Sequence, residues 1–88
     1  MKAFVQPGQN FEIKNESPED ISIRLLNGGV PVSEEDIKIP GKRGFGVKGQ
    51  ALPIDINKET YLEIEYDKNG KKYYEVVQFP IGKTIYTT

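Results

Sequence analysis

The stretch YLEIEYDKNGKKYYEVVQF (residues 61–79) contains two runs of strand-forming residues on either side of a turn. β-Branched and aromatic residues are frequent in both runs, and apolar and polar side chains alternate along the first, as they do in a half-buried strand. Between the runs, Asn69-Gly70 is a pair that readily adopts the left-handed backbone conformations of tight hairpin turns. The stretch therefore predicts a β-hairpin and indicates an all-β domain.

The length of the hairpin loop decides which side chains face the core. A two-residue loop would place Glu75 opposite Ile64, on the apolar face. A three-residue loop, with Gly70 left-handed in a bulge, places Tyr74 opposite Ile64 instead. We predict the three-residue loop because it agrees with both the turn chemistry and the apolar pattern. Its core face consists of Leu62, Ile64, Tyr66, Tyr74 and Val76.

Turn signals recur about every eight to twelve residues along the rest of the chain, with alternating runs between them, which is typical of a sandwich or small barrel. Asn27-Gly28-Gly29 predicts a turn, and the proline in residues 30–32 predicts an edge strand because proline donates no ladder hydrogen bond. Residues 33–36 suggest one helical turn. We expect one domain over residues 1–88, with about seven or eight short strands in an immunoglobulin-like two-sheet sandwich. An OB-like barrel is the alternative.

The predicted core contains the inward-facing residues of these strands. Six residues, NGGVPV (27–32), resemble a corner motif of immunoglobulin-like bacterial surface modules, and this likeness favours the sandwich. The expected inward set is Phe11, Ile13, Ile21, Ile23, Leu25, Ile37, Ile39, Leu52, Ile54, Ile56, Leu62, Ile64, Tyr74, Val76 and Ile85.

The composition excludes several kinds of chemistry. The chain has no histidine, which is the commonest general base and metal ligand, and no cysteine, so a function based on a thiol or a disulfide is excluded. Glu63, Glu65 and Glu75 cluster on the hairpin, where a solvated strand face is the simplest interpretation. We therefore expect that the protein is not an enzyme and needs no metal or cofactor.

The charge balance predicts no general affinity for polyanions. Twelve basic and thirteen acidic residues give a net charge of −1. No apolar run approaches the ~20 residues that cross a bilayer, so we expect no membrane insertion. The start of the chain does not resemble a signal peptide, and the missing cysteines suit a reducing compartment, so a cytoplasmic location is expected unless a signal was removed. Lysine is favoured over arginine, as in AT-rich genes of low-GC bacteria and their phages.

The first functional hypothesis is a non-enzymatic interaction module that binds a protein partner or packs into a homo-oligomer. In the three-residue-loop register, four large side chains lie on the hairpin face opposite the core, which is more apolar surface than a solvated face needs. Tyrosine is also enriched at protein interfaces. The predicted partner-binding residues are Tyr61, Tyr73, Val77 and Phe79.

The second hypothesis is binding of single-stranded nucleic acid or phosphate by the basic, glycine-rich loop at residues 41–49. Residues 43–46 (RGFG) resemble the RNA-binding motif K/R-G-F/Y-G/A-F-V-x-F/Y of RRM domains, although Val47 replaces its second aromatic residue. Cations beside an aromatic ring can hold a phosphate and stack a base. Oligonucleotide binding at low salt would test this role. The candidate residues are Lys42, Arg43, Phe45 and Lys48.

Overall fold

A computed structural model of the chain describes residues 2–7, 12–46, 54–55, 57–80 and 82–88. These residues form nine strands and no helix. The residues predicted as one helical turn, 33–36, form bends and irregular chain instead. The strands are β1 Ala3–Pro7, β2 Glu12–Asn15, β3 Ile21–Asn27, β4 Val30–Pro31, β5 Ile37–Ile39, β6 Gly44–Gly46, β7 Thr60–Lys68, β8 Lys71–Phe79 and β9 Lys83–Thr87.

The strands form two sheets that pack face to face. One sheet has the order β1-β9-β2-β6, with β2 and β9 parallel, and the other has the order β4-β3-β7-β8, with β5 also paired to β3. The sheets do not close on each other, so the predicted sandwich is confirmed and the barrel alternative is wrong. Strands β1 and β6 were not predicted, because neither shows a long alternating run.

The core lies between the two sheets and follows the predicted alternation in the central strands. Its buried apolar residues are Ile13, Ile21, Ile23, Leu25, Ile39, Leu62, Ile64, Phe79 and Ile85. Of the other predicted core residues, Ile37 and Ile54 are half-buried and pack against this cluster. The remaining predictions at Phe11, Leu52 and Ile56 lie outside the described residues.

The β7–β8 hairpin has the two-residue loop, so the predicted three-residue loop is wrong. Asn69 and Gly70 alone form the turn, with φ angles of 54° and 75°. Two left-handed residues give the type I′ turn, whose twist matches that of the strands. A shift of one residue moves each β8 side chain to the opposite face of the sheet. Tyr74 and Val76 are consequently 71% and 62% exposed rather than part of the core.

The buried side chain of Asn15, at the end of β2, joins the loop after β2 to the ends of β5 and β9. Its Oδ1 accepts hydrogen bonds from the Ser17 N–H (3.2 Å), the Ser17 hydroxyl (2.6 Å) and the Thr87 hydroxyl (2.9 Å). Its amide nitrogen donates to three carbonyl oxygens, from the loop after β2, the last residue of β5 and the residue that follows it. These acceptors belong to Glu19, Ile39 and Pro40. The amide therefore satisfies backbone groups that would otherwise be buried without partners.

Gly70→Ala is expected to lower the free energy of unfolding by about 1 kcal/mol, because an L-residue is strained in the left-handed region. No atom lies within 4 Å of the added Cβ, so the loss is purely conformational. Gly70→Asn should be nearly neutral, since asparagine tolerates this region, and Gly70→Val should cost more than alanine. Urea denaturation measures all three. Equal losses for alanine and asparagine would contradict the left-handed turn.

Candidate functional site

Strand β8 forms a long edge of the five-stranded sheet. Within the described residues it is hydrogen-bonded as a ladder only to β7. The other side of this sheet ends in β4, which has two residues including Pro31, and in β5, which has three. Proteins commonly shorten or interrupt edge strands, because exposed backbone groups can pair with a further strand. At nine residues without proline, β8 has neither form of protection.

The hairpin register determines which backbone groups of β8 point away from β7. A two-residue hairpin closes on a hydrogen-bonded pair, here Lys68 with Lys71, and bonded pairs recur at every second residue. The odd-numbered residues of β8 therefore bond to β7. The N–H and C=O groups that point outward belong to Lys72, Tyr74, Val76 and Gln78, and we call the row of groups from Lys72, Tyr74 and Val76 the β8 edge.

The side chains of the β8 edge lie on the outer face of the sheet. Tyr74 and Val76 are its largest exposed apolar groups, at 71% and 62%. Tyr74 lies opposite Glu65 of β7, and Val76 lies opposite Glu63. The edge therefore combines free hydrogen-bonding groups with two exposed apolar side chains, each flanked by a carboxylate.

Lys72 carries the positive charge at the turn end of the β8 edge. Its Nζ lies 3.2 Å from Oε1 of Glu65. The hydrogen bond to Glu65 and the charge of that carboxylate, with a smaller contribution from Asp67, raise the pKa of Lys72. Lys72 therefore remains a cation that partly neutralises the acidic row on β7.

The predicted partner-binding residues do not share one exposed face. Tyr61 lies on the outer face, where its hydroxyl donates to Glu59 Oε2 at 3.1 Å and its pKa is raised by that hydrogen bond and charge. Tyr73 lies on the inner face, stacked on Tyr66 with ring centroids 5.5 Å apart, and is 40% exposed. Val77 packs against the core and Phe79 is buried within it. The predicted placement is wrong for Tyr73, Val77 and Phe79, because their faces depended on the three-residue loop, whereas Tyr61 lies on the predicted face.

Glu75, on the inner face of β8, covers part of the neighbouring edge strand of the other sheet. Lys2 and Thr88 exchange both backbone hydrogen bonds, so the N–H of the next residue, Ala3, points away from β9. Glu75 Oε1 accepts a hydrogen bond from this N–H at 3.2 Å. Glu75 is half-buried and lies opposite the core residue Ile64. Its carboxylate is accommodated because β8 lies at the rim of the sandwich, where the Ala3 N–H is available as a donor. An inward-pointing charge of this kind also discourages strand pairing at β1.

Glu75→Ala is expected to lower the free energy of unfolding by about 1 kcal/mol, because the part-buried Ala3 N–H loses its acceptor. Glu75→Gln keeps an acceptor oxygen at the same distance from the backbone, so its loss of unfolding free energy should be smaller. Chemical denaturation of the two variants and of the wild type gives the comparison. A loss as large for glutamine as for alanine would show that the hydrogen bond to Ala3 is unimportant.

The basic residues of the second hypothesis lie in a structured turn. Lys42 has a φ of 61°, its N–H donates to Ser17 O at 3.0 Å, and its Nζ donates to the carbonyl oxygen of Glu16. Lys42 and Arg43 line a cleft together with Lys14 and with two acidic residues, Glu12 and Glu16. A polyanion bound there would meet two negative charges as well as the cations.

The other residues of this hypothesis are described in part or lie outside the described chain. The backbone of Phe45 lies in β6 opposite Ile13. Lys48 lies outside the described residues. Binding of nucleic acid or phosphate at this loop stays a prediction.

Among the described residues, no group of three or more histidine, cysteine or acidic side chains is placed to hold a metal ion. The same part of the chain contains no helix that is long and apolar enough to cross a membrane. Comparisons with protein-family models, with curated proteins and with solved structures found no match for this chain.

Proposed function

We propose that this domain is a protein-interaction module that binds an extended segment of its partner at the β8 edge. In strand addition, main-chain hydrogen bonds supply affinity and alternate side chains supply specificity. The observation that carries the proposal is the outward row of backbone groups from Lys72, Tyr74 and Val76 on a long edge strand. This mode of binding needs no nucleophile, general base or metal, in agreement with a chain that lacks cysteine and histidine.

The groups on the β8 edge are sufficient for a reversible complex. Three outward residues each offer one N–H and one C=O, and each hydrogen bond contributes about 0.5–1.5 kcal/mol net. Tyr74 and Val76 add apolar contact area at the centre of the edge. Tyrosine side chains in such central positions often dominate the binding energy. The ordering of the incoming segment opposes these gains, so we expect moderate affinity.

The experiment uses a displayed library of random peptides selected on the wild-type domain. Val76→Pro removes one outward N–H while the bonds from β8 to β7 remain, because proline is tolerated on an edge strand with its nitrogen facing solvent. Val76→Thr is the matched control, since it keeps the N–H and a β-branched side chain. Selected peptides should bind Val76→Thr normally and bind Val76→Pro at least tenfold more weakly.

Two results would overturn the proposal. One is a set of selected peptides that bind Val76→Pro as tightly as the wild type, because their site would not involve the β8 edge. The other is the absence of any selected peptide that binds in an extended form. Circular dichroism of Val76→Pro ensures that a loss of binding is not a loss of folding.

A further inference from the structure

We infer that the segment received by the β8 edge is the β8 edge of a second copy of this chain, paired antiparallel about a two-fold axis at Tyr74. This inference rests on the proposed function and names its partner. Joined in this way, the two five-stranded sheets would form one continuous sheet across the dimer. Two-fold pairing is the commonest form of homo-oligomer, and it requires a surface that is complementary to itself.

Self-complementarity limits the possible registers. Outward-pointing residues must face outward-pointing residues for their backbone groups to bond. A two-fold axis at Glu75 would place the two Glu75 carboxylates directly opposite each other, and an axis at Lys72 would do the same with two ammonium groups. Like charges directly opposite are destabilising. An axis at Val76 would set Lys72 against Pro80, which has no N–H to donate.

The register about Tyr74 avoids these conflicts. It pairs Tyr74 with its own copy and Lys72 with Val76 of the second copy, so the three residues of the β8 edge form backbone bonds, while Gln78 lies opposite the turn residue Gly70 of the second copy. The central tyrosine pair is an aromatic cross-strand pair of the kind that stabilises sheets. This pairing would also cover part of the two most exposed apolar side chains of β8.

Charge complementarity favours a second copy as the occupant. On the inner face, the axis at Tyr74 places Glu75 opposite Tyr73 of the second copy and diagonal to Lys71 of the second copy, a distance that long side chains span. The two-fold axis repeats the Glu75–Lys71 pair, whereas the two Glu75 carboxylates, which are also diagonal to each other, form a single like-charge pair. The net charge of −1 also adds almost no long-range repulsion between two copies.

The test measures oligomeric state by sedimentation velocity over a range of protein concentrations. The wild type should change from monomer to dimer at protein concentrations below about 1 mM. A dissociation constant of about 1 mM corresponds to a binding free energy of about 4 kcal/mol. Lys71→Glu should raise the dissociation constant about tenfold, because it sets two carboxylates near each other. The double exchange Lys71→Glu with Glu75→Lys should restore much of the dimer. Lys68→Glu is the matched control, since it makes the same charge change on β7 and should leave the dimer unchanged.

Each outcome separates this inference from the proposed function. A wild type that stays monomeric at about 1 mM would reject the second copy as the partner. Peptides selected by strand addition would in that case still support the proposed function, with a foreign segment as occupant. A dimer that Lys71→Glu does not weaken would overturn the Tyr74 register. Thermal melts of each variant establish that it is folded at the concentrations used.

Discussion

Replacing Asn15 by alanine is expected to remove about 3–5 kcal/mol from the free energy of unfolding, because several buried polar groups lose their partners together. The side chain is 1% exposed and its two polar atoms bond to the loops after β2 and β5 and to β9. A domain of this length is stable by only about 4–13 kcal/mol. Asn15→Ala should therefore bring the protein close to unfolding at room temperature.

Asn15→Asp distinguishes the contribution of the donated hydrogen bonds from that of side-chain shape, because aspartate has nearly the same shape as asparagine. Aspartate keeps the acceptor oxygen but replaces the amide donor by a second oxygen, which would face three carbonyl oxygens. Burial of that charge without a partner should make this variant at least as unstable as alanine. Asn57→Ala, at an exposed asparagine, is the control and should change stability by less than about 0.5 kcal/mol. Urea denaturation followed by circular dichroism measures all three, and a loss below 1 kcal/mol for Asn15→Ala would contradict the described network.

Gly41→Ala is expected to cost about 2–3 kcal/mol, because the loop after β5 packs directly on the backbone of the loop after β2. An added Cβ at Gly41 would lie 2.3 Å from the carbonyl oxygen of Pro18 and 2.6 Å from its carbon. These are backbone atoms, so the clash cannot be relieved by a side-chain rotation. The two loops would have to separate, which would also strain the hydrogen bond from the Gly41 N–H to Asp20 (2.9 Å).

The matched control for this substitution is Gly44→Ala. A Cβ at Gly44 would meet Ile13 O at 3.4 Å, which is an ordinary contact, so its cost should stay below about 1 kcal/mol. Thermal and urea unfolding of the two variants provide the test. Similar stabilities for Gly41→Ala and Gly44→Ala would show that the two loops do not approach as closely as described.

Local patterns in the sequence were sufficient to predict the central strands. Apolar residues alternate along most of β3 and β7, and both strands have neighbours on each side, so the inward positions are buried throughout β3 and from Thr60 to Ile64 in β7. Asn27-Gly28-Gly29 was predicted as a turn, and Gly28 and Gly29 are left-handed there, with φ angles of 63° and 81°. These features depend on residues close together in the chain.

The register of β8 could not be predicted in the same way. Glu75 opposite Ile64 conflicts with an apolar core only if the strand is central, and sequence alternation does not reveal which strand lies at the edge. The hydrogen bond that accommodates Glu75 comes from Ala3, 72 positions earlier in the chain. The predicted four-residue apolar surface depended on the three-residue loop, so it is absent from the observed register. The exposed apolar side chains on the outer face of β8 are instead Tyr74 and Val76.

The network around Asn15 was also missed, although part of its signal was present. Asparagine two residues before Ser17 is typical of a turn in which the side chain accepts the Ser17 N–H, as it does here at 3.2 Å. The other partners, in the loop after β5 and at Thr87, are distant in sequence. The local sequence therefore indicated a turn at Asn15, but it could not indicate that the Asn15 side chain is buried.

Residue-resolved amide hydrogen exchange tests the central claim most directly, because it reports which N–H groups of β8 are unbonded. In dilute solution the amides of Lys72, Tyr74 and Val76 should exchange fast, while those of Tyr73 and Glu75 should be protected by β7. Protection of the three outward amides should rise when the protein is concentrated or a selected peptide is added. A binding site at the β8 edge would be contradicted by protected amides at Tyr74 and Val76 in dilute solution, or by binding that leaves these amides unprotected.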